Sequence, residues 1–421
     1  MTSTLLARLR DADWLDAPRA RAYPRIVAGV VLLALLGLVL TAHGAVDSRG
    51  EPIGTDFSNF WSASKLALMG DPAAAYDMAR QYAVQKQEFG PQTGFYPFFY
   101  PPIYLLICYP LAALPYLTAL AIWVVSTAYA YQAVVRRIGQ GVVGLVPVLA
   151  FPAVFVSVGH GQNALLTTAI LGAAALCLDL RPAVAGVLLG LLAFKPHLAV
   201  VAPLMLLAAG RWRAFAAAAV TACALALVSL AAFGLDAWKA FIASAPAAKA
   251  VLDDKMMDVE KLQSVFGAVR LLGGGADLAY FAQGAVALGV IGILLYLARR
   301  ELSGEAIGAL VATAAALTSP YFLDYDLALL AIPLAWATAQ GVKTGFLPWE
   351  KSVLVLAFAL PAFSRVLAFA IGVPLAPLAV GLLFWCVVRR AGAYAGHENA
   401  SILISAGSEK PVAFDARLFG K

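Results

Sequence analysis

The sequence predicts an all-α protein that crosses a membrane many times. Of its 421 residues, 62% are hydrophobic and only 13% are charged, and its mean hydropathy is +0.83. Soluble domains are only about 45–50% apolar, so composition alone indicates a polytopic membrane protein. Backbone that faces lipid must satisfy its hydrogen bonds internally, which restricts spanning segments to helices and closed barrels. The sequence lacks the alternating apolar pattern of barrel strands, so helices are predicted.

A series of apolar runs supplies the predicted helices. An α-helix needs about 20 residues to cross the ~30 Å hydrocarbon core of a bilayer. Runs of roughly that length, with some longer ones, occupy residues 26–42, 101–135, 141–158, 162–179, 183–209, 213–233, 279–298, 305–320, 325–340, 351–371 and 374–388. No cleavage site of the A-x-A type follows the first run, so we expect it to remain as a signal anchor.

Arginine and lysine residues at the ends of these runs predict the threading, because such residues prefer the cytoplasmic side of a membrane. The basic positions are Arg8 to Arg25, Arg136 and Arg137, Arg181, Arg211 to Arg213, Arg299 and Arg300, Lys343, and Arg389 and Arg390. All of them lie on that side if 101–135 makes one net crossing and 183–209 makes two. The predicted protein then has about twelve transmembrane helices with both termini inside.

This threading divides the chain into three predicted parts. Residues 1–25 form a basic cytoplasmic N-terminus, residues 26–390 a transmembrane domain, and residues 391–421 a cytoplasmic tail. Within the domain, we expect 101–116 to be an interfacial or re-entrant helix ahead of a crossing at 118–136. A full crossing by 101–116 would place the arginines that follow on the wrong side, so that alternative ranks second.

The predicted outer side collects most of the chemically versatile residues. Two long segments, 43–100 and 234–278, lie there. Three polar turns join them: GHGQN at 159–163, KPH at 195–197 and SPYFLDYD at 319–326. Function concentrates on loops that a rigid scaffold positions, so we expect the functional site at this face.

Lys195 has an unusual predicted depth. Between Arg181 and Arg211 the chain goes out and returns, so each leg has about 14 residues, or ~21 Å of helix. That length is short of a full crossing and places Lys195 below the outer lipid surface. Two interpretations stay open: a cation that lines a cavity, and a lysine that extends to the interface from a helix end.

Asp56 also has two interpretations on pattern alone. Aspartate is a favoured N-cap, and the spacing of Phe57 and Phe60 describes an amphipathic helix on the outer leaflet. A carboxylate fixed at that position equally suits a general base toward a hydroxyl group. Asp71 is predicted to cap a second interfacial amphipathic helix of the first outer segment, with Pro72 in its first turn, and Asp77 is likewise predicted to have a structural role.

Several chemistries have no support in the sequence. Neither HExxH nor CxxC spacing occurs, so no metal is expected. The cysteines Cys108, Cys177, Cys223 and Cys386 lie in apolar runs and are interpreted as small buried hydrophobes. No GxxxxGK[ST] loop and no GxSxG motif is present. Basic runs interleaved with aromatics are missing, so no nucleic-acid partner is expected.

Seven motifs in a fixed order resemble those of one known family. They are DFSNFW at 56–61, GDPAAAYD at 70–77, YPP at 100–102, GHGQNALL at 159–166, GVLLGLLAFKPHLAV at 186–200 with GRWRA at 210–214, QSVFGAVRLL at 263–272, and SPYFLDYD at 319–326. Together they are similar to glycosyltransferase family 87, the polyprenol-phosphate-sugar-dependent transferases with a GT-C membrane fold. Mannosyltransferases and arabinofuranosyltransferases belong to that family. The resemblance extends over residues 25–390.

The resemblance implies an inverting, metal-independent transfer without a cofactor. The expected donor is a polyprenyl-phosphate sugar, and the acceptor a hydroxyl group of a glycolipid or cell-envelope glycan, at the extracytoplasmic face of a bacterial inner membrane. Asp56 matches the general base proposed for the family, and Lys195 matches a Lys-Pro motif whose cation faces the donor phosphate. Asp324 matches the aspartate after Ser-Pro, but Tyr325 and Asp326 stand where the mannosyltransferases have histidines.

The other candidates for donor-phosphate or substrate binding lie in the same motifs. They are Asn59, Tyr100, Gln162, Asn163, His197 and Arg270, beside Lys195, Asp324, Tyr325 and Asp326. The amides of the GHGQN turn either bind a sugar or cap the turn, and the two aspartates of SPYFLDYD either bind substrate or are solvated caps. Arg270 offers a phosphate contact from the second outer segment.

A transporter or flippase for a lipid-linked glycan is the competing hypothesis. Transporters tend to have internal repeats and ionisable residues near the membrane midplane. The sequence has no convincing repeat, and its charges cluster at one predicted face instead. A purely structural membrane scaffold explains neither the lysine within 183–209 nor the polar turns. The sequence therefore favours the enzyme.

Overall fold

All regular structure in the described part of the chain is helical, apart from three isolated β-bridges. The computed structural model describes residues 2–254 and 258–406, and the side chains of residues 5–254 and 258–392. The α-helices are α1 Thr2–Asp11, α2 Ala17–Leu40, α3 Thr55–Leu68, α4 Met78–Phe89, α5 Pro102–Cys108, α6 Tyr116–Ile138, α7 Leu145–Leu149, α8 Pro152–His160, α9 Ala164–Cys177, α10 Pro182–Leu191, α11 Pro196–Ala199, α12 Val201–Ala208, α13 Trp212–Asp253, α14 Val265–Leu271, α15 Ala276–Leu297, α16 Gly304–Thr318, α17 Ala331–Thr344, α18 Glu350–Ile371 and α19 Leu375–Ala406. Short 3₁₀ helices occur at Pro72–Tyr76, Tyr109–Ala113, Leu192–Phe194, Val259–Lys261 and Asp324–Leu330. Residues 407–421 of the predicted tail lie outside the described residues.

Six helices are long and apolar enough to cross a membrane. They are α2, α6, α13, α15, α18 and the Leu375–Gly392 part of α19. Their outward faces carry large apolar side chains, such as Leu33 on α2, Val220 on α13 and Leu288 on α15, which are 70%, 69% and 72% exposed. Apolar surface of this kind is stable against lipid rather than water. The chain is therefore a polytopic membrane protein, as predicted.

Shorter apolar helices fill the interior of the bundle. In α16, every residue from Ala306 to Leu317 is buried. Its 15 residues rise about 22 Å, which is less than the ~30 Å core of a bilayer. A helix of this length ends short of at least one membrane surface.

The 183–209 run folds back on itself, as predicted. Helix α10 ends at Leu191, the chain breaks at Lys195, and α11 and α12 return to Ala208. The two ends of this hairpin meet, because Arg211 Nη2 lies 2.9 Å from Asp179 Oδ1, just before α10. Lys195 is therefore the apex of two short legs.

Residues 102–113 form a short, broken helical segment rather than a crossing. Helix α5 and the 3₁₀ helix that ends at Ala113 are followed by α6, which begins at Tyr116 and makes the crossing. Trp61 Nε1 donates a hydrogen bond of 3.2 Å to Leu114 O, so the broken segment packs against α3. The predicted crossing at 118–136 is thus correct to within two residues at each end.

Helix α3 is buried, so the prediction of an interfacial helix is wrong for this element. All residues from Phe57 to Ser64 are buried. The sequence looks amphipathic because of its serines, but the hydroxyls of Ser58 and Ser62 bond back to the helix itself, and Ser64 Oγ is buried with no partner among the described residues. Ser58 Oγ donates to Thr55 O at 2.6 Å and Ser62 Oγ to Asn59 O at 3.3 Å. Hydroxyl groups that bond to their own helix in this way can be buried at little cost.

The aspartates of the first outer segment differ in their capping roles. Asp71 Oδ1 accepts from Ala74 N and Asp77 Oδ1 accepts from Ala79 N, so both are caps, which fits the structural roles predicted for them. The N-cap of α3 is Gly54, which leaves Asp56 inside the first turn with no capping bond. The N-cap interpretation of Asp56 is therefore wrong.

The basic ends of the predicted crossings do meet at one end of the bundle, which we call the basic end. Arg390 bonds to Glu350 and to Gly345 O, and Ser352 Oγ donates to Leu9 O. Gln140, three residues after Arg137, donates to Glu305 at 2.7 Å. These contacts join α1 to the α18–α19 hairpin and the end of α6 to the start of α16, and the end of α17 connects the two groups, because Lys343 bonds to Gln140 and Thr344 to Arg390.

The cysteines are mixed in their exposure. Cys108 and Cys386 are buried as predicted, and Cys177 is half-buried. Cys223, on the outward face of α13, is exposed, so its interpretation as a buried residue is wrong. Its apolar neighbours face lipid and not the protein core. A helix face that contacts lipid and one that contacts the core are both apolar, so the sequence pattern does not distinguish them.

Candidate active site

Four of the predicted motifs meet at the end of the bundle opposite the basic end, in one hydrogen-bonded series. Gln162 Nε2 donates to Asp56 Oδ2 at 3.0 Å, and Gln162 Oε1 accepts from Asn163 N at 2.7 Å. Asn163 Oδ1 accepts from Lys195 Nζ at 3.1 Å, and Lys195 Nζ lies 2.5 Å from Asp326 Oδ1. We call these five residues the site network. It joins DFSNFW, GHGQN, KPH and SPYFLDYD, which are far apart in sequence.

Two glycines with left-handed backbone bring Asp56 to the GHGQN turn. Gly54 (φ 75°) starts α3 and Gly161 (φ 62°) ends α8. A Cβ atom on Gly161 would lie 2.6 Å from Phe57 Cβ and 3.5 Å from Gly54 Cα. Only glycine combines this conformation with this approach. Thr55 Oγ1 lies 2.7 Å from His160 Nδ1 and fixes the same junction.

Gln162 holds the Asp56 carboxylate in a defined orientation. Its Oε1 accepts from Tyr100 OH at 3.1 Å as well as from Asn163 N, so its Nε2 must face Asp56. Burial keeps the pKa of Tyr100 well above its ordinary value, so the phenol retains its proton and donates. Within the described residues, Asp56 pairs with no cation and accepts only this neutral hydrogen bond.

Lys195 is buried and paired. Its side chain is 2% exposed and that of Asp326 is 1% exposed. Its ammonium group also lies 5.4 Å from the centre of the Tyr325 ring. A lysine that extended to the interface would be exposed at its tip, so that interpretation is wrong. Removing either member of a buried pair leaves an uncompensated charge, which makes the pair a strong constraint on the turn at 319–326.

The aspartates of SPYFLDYD have separate partners. Asp326, the third residue of the 3₁₀ helix Asp324–Leu330, accepts at Oδ2 from Leu323 N and so caps the start of that helix, beside its pairing with Lys195. Asp324 Oδ1 accepts from Tyr325 N at 2.9 Å, and its Oδ2 lies 3.3 Å from Arg365 Nη1. Both are buried. The interpretation of these aspartates as solvated caps is therefore wrong, although Asp326 is a cap.

The second outer segment docks along this turn. Gln263 N donates to Phe322 O at 2.7 Å, and Ser264 Oγ donates to Pro320 O at 2.7 Å. Arg270, farther along, donates to Gly274 O and Asp253 O. It makes no hydrogen bond to the site network in the described residues. Arg270 therefore orders its own segment, and its predicted phosphate contact stays a prediction.

Two other predicted residues lie beside the network without bonding to it. Asn59 stands one turn after Asp56 on α3, and its Oδ1 is buried with no partner among the described residues. His197 packs edge-on against Tyr321, with ring centres 5.8 Å apart, and its Nε2 is likewise without a partner. Unsatisfied buried polar atoms are rare and require an explanation, such as a ligand or water.

Sequence reasoning missed two residues of this region. His160 ends α8, bonds to Thr55 and packs against Tyr325 with ring centres 6.2 Å apart. Arg365 lies in α18 and pairs with Asp324. A signal for Arg365 was present, because it is the one charged residue within the apolar run 351–371 after Lys351. Charges inside membrane helices face protein interiors and mark functional sites.

The geometry suits acid–base chemistry on a neutral hydroxyl group. Asp56 is half-buried, held by one neutral donor and unpaired with a cation, which leaves an oxygen available to accept a proton. No group of three His, Cys, Asp or Glu residues suited to a metal ion occurs in the part of the chain that the structure describes. The metal independence of the reaction stays a prediction.

Comparison with known proteins gives one result. No curated protein and no solved structure matches the chain. The profile of glycosyltransferase family 87 matches residues 98–320, which is more than half of the 421 residues. The matched range contains the GHGQN turn, Lys195 and the start of SPYFLDYD, and it excludes Asp56. The chain belongs to glycosyltransferase family 87, and it is therefore a membrane glycosyltransferase.

Proposed function

We propose that this glycosyltransferase takes a sugar from a polyprenyl-phosphate donor and transfers it, with inversion, to a hydroxyl group of a glycolipid or cell-envelope glycan. A GT-C fold with twelve crossings is part of the proposal. The short interior helices and the hairpin at Lys195 support it, since their polar turns meet at one end of the bundle. Membership of the family favours the enzyme over a transporter or flippase.

The observation that carries the proposal is the state of Asp56. It is the carboxylate of the site network that no cation pairs with in the described residues, and Gln162 fixes its orientation. Asp326 is neutralised by Lys195, and Asp324 faces Arg365. A base must be both free to take a proton and held in place. Asp56 meets both conditions.

In the proposed reaction, Asp56 accepts the proton of the acceptor hydroxyl group. The acceptor oxygen attacks the anomeric carbon of the donor sugar from the face opposite the lipid phosphate. The bond between that carbon and the phosphate oxygen breaks, and the phosphate leaves with the electron pair. The phosphate is already an anion, so a positively charged side chain can stabilise it.

Lys195 is proposed to position the site rather than to bind the donor directly. Its ammonium group holds Asp326 on one side and Asn163 on the other. Asn163 in turn donates its backbone N–H to Gln162, which holds Asp56. Lys195 thus connects the turn at 319–326 to the general base through two amides.

The site is proposed to face the outside of a bacterial inner membrane. The basic end of the bundle gathers arginine and lysine residues, which favour the cytoplasmic side. The site network lies at the opposite end. Polyprenyl-phosphate sugars that reach the outer face are the donor class that such an orientation suits.

The substitution Asp56→Asn tests this proposal. Purified protein in lipid nanodiscs is incubated with radiolabelled polyprenyl-phosphate mannose or arabinofuranose and a membrane glycolipid extract, and product is measured by chromatography. We expect turnover to fall about 10²–10⁴-fold, because a general base contributes that much, while donor binding persists. Asp236→Asn, an exposed carboxylate on the outer part of α13, is the matched control. Full turnover by the Asp56→Asn protein would remove Asp56 from the mechanism.

A further inference from the structure

Arg365 is a cation placed between the site and the lipid-facing surface. It lies on α18 with its side chain 39% exposed. Its Nη1 is 3.3 Å from Asp324 Oδ2 and its Nη2 is 3.7 Å from Asp258 Oδ2. One carboxylate belongs to the turn at 319–326 and the other to the second outer segment. Arg365 is therefore held at the junction of two outer elements.

The two cations that the sequence predicts near the site, Lys195 and Arg270, are both buried, whereas Arg365 is not. Lys195 is 2% exposed and is occupied by Asp326 and Asn163. Arg270 is 8% exposed and donates to two backbone carbonyls. The Arg365 contacts are longer than the 2.7–2.9 Å of a strong charge-assisted bond, so its guanidinium keeps donors for an incoming anion.

The surface next to Arg365 is apolar and faces outward. Val366 is 61% exposed and Phe369 is 80% exposed. Phe369 stands four residues after Arg365, on the same face of the helix. A cation beside an exposed apolar strip matches a ligand with an anionic head and a hydrocarbon tail. A buried cation such as Lys195 does not meet that description.

We propose that Arg365 binds the phosphate of the lipid-linked donor, with the tail along the Val366–Phe369 face of α18. The inference rests on the proposed function and adds a residue to it. The guanidinium group makes two parallel hydrogen bonds to phosphate oxygens. In the absence of a ligand, Asp324 and Asp258 hold it in position. When the sugar is transferred, the same contact stabilises the second negative charge that forms on the phosphate.

Binding of decaprenyl phosphate, compared with neutral decaprenol, tests this proposal. Full-length protein in nanodiscs of neutral lipid is titrated with each probe, and inorganic phosphate is added as a competitor. We expect wild type to prefer decaprenyl phosphate, and Arg365→Gln to lose roughly ten- to hundredfold of that preference with decaprenol binding unchanged. Lys351→Gln, at the other end of the same helix, is the matched control and should keep the preference.

A second variant separates binding from folding. Arg365→Gln leaves Asp324 buried without a cation, so Arg365→Gln/Asp324→Asn removes both charges and should restore stability but not the phosphate preference. An Arg365→Gln protein that keeps the full preference would overturn the inference and leave the proposed function intact. A wild type with no preference for the phosphate would overturn both. Inorganic phosphate that competes as well as the lipid would show a site for free phosphate and overturn the lipid assignment.

Discussion

The two ends of the helical bundle hold their charges differently. At the basic end, Arg390 bonds to the Glu350 carboxylate, to Thr344 and to Gly345 O, and both charged side chains are at most 5% exposed. At the site end, Lys195 and Asp326 form an equally buried pair. Around that pair, however, Asn163 Nδ2 and His197 Nε2 have no partner among the described residues, and Asp56 has no cation.

This difference indicates what each end does. A buried charge is stable only when paired and hydrogen-bonded, and the basic end meets that requirement within the protein itself. The site end meets it for Lys195 and leaves other polar groups for a ligand. Both ends hold helices together, but among the described residues the carboxylate without a cation, Asp56, and the unpartnered atoms of Asn163 and His197 lie at the site end. The comparison predicts that equal losses of stability at the two ends have unequal effects on turnover.

Breaking each buried pair tests this directly and has the largest expected effect on stability. Lys195→Met leaves Asp326 unpaired, and Arg390→Met leaves Glu350 unpaired. Each should lower the free energy of unfolding by about 3–5 kcal/mol, because an uncompensated charge stays buried. Titration with SDS in mixed micelles measures that loss. Turnover per folded molecule should fall about 100-fold for Lys195→Met, because the network no longer positions Asp56, and should be unchanged for Arg390→Met.

The double variant Lys195→Met/Asp326→Leu separates the loss of stability from the loss of turnover. It removes both charges and should recover most of the lost stability, since apolar replacements of buried pairs are tolerated. Turnover should stay low because Asn163 loses its donor. If the double variant regained full turnover, the pair would be structural only, and the two ends of the bundle would be equivalent.

Glycine-to-alanine substitutions should have a smaller effect on stability, and again only the one at the site end should reduce turnover. Gly161→Ala places a Cβ 2.6 Å from Phe57 Cβ in a left-handed conformation, and should lower stability by about 1–3 kcal/mol. It should also reduce turnover, since α3 must shift and carries Asp56. Gly141→Ala is the control at the basic end, with φ +81° and open space around it.

Thermal unfolding and turnover of the two glycine variants distinguish the effect of a strained left-handed backbone from the effect of moving α3. Gly141→Ala should show only the conformational loss, about 1–2 kcal/mol, with normal turnover. Equal turnover in both variants would mean that the contact between Gly161 and α3 does not position the base.

The sequence predicts the membrane class, the hairpin at Lys195 and the grouping of basic ends, because each depends on local length and charge. It does not predict that α3 is buried, since serines that bond to their own helix look the same as serines that face water. It does not identify the pairing of Lys195 with Asp326, which are 131 positions apart. Arg365 was visible as a charge in an apolar run, but its partners depend on packing between helices.

The smallest effect is expected at Asp71, which belongs neither to the basic end of the bundle nor to the site network. Asp71 caps the 3₁₀ helix Pro72–Tyr76 and accepts a hydrogen bond from Arg80, and that bond lowers the pKa of its carboxyl group. A lowered pKa means that the contribution is present above the ordinary value of 3.8 and is lost as pH falls below it. Asp71→Ala should therefore lower stability by about 1 kcal/mol or less at pH 7, because the site is exposed. The difference from wild type should shrink toward pH 3 in urea titrations, and turnover at pH 7 should be unchanged. A loss of turnover would extend the functional region from the site network to the outer cap of the first segment.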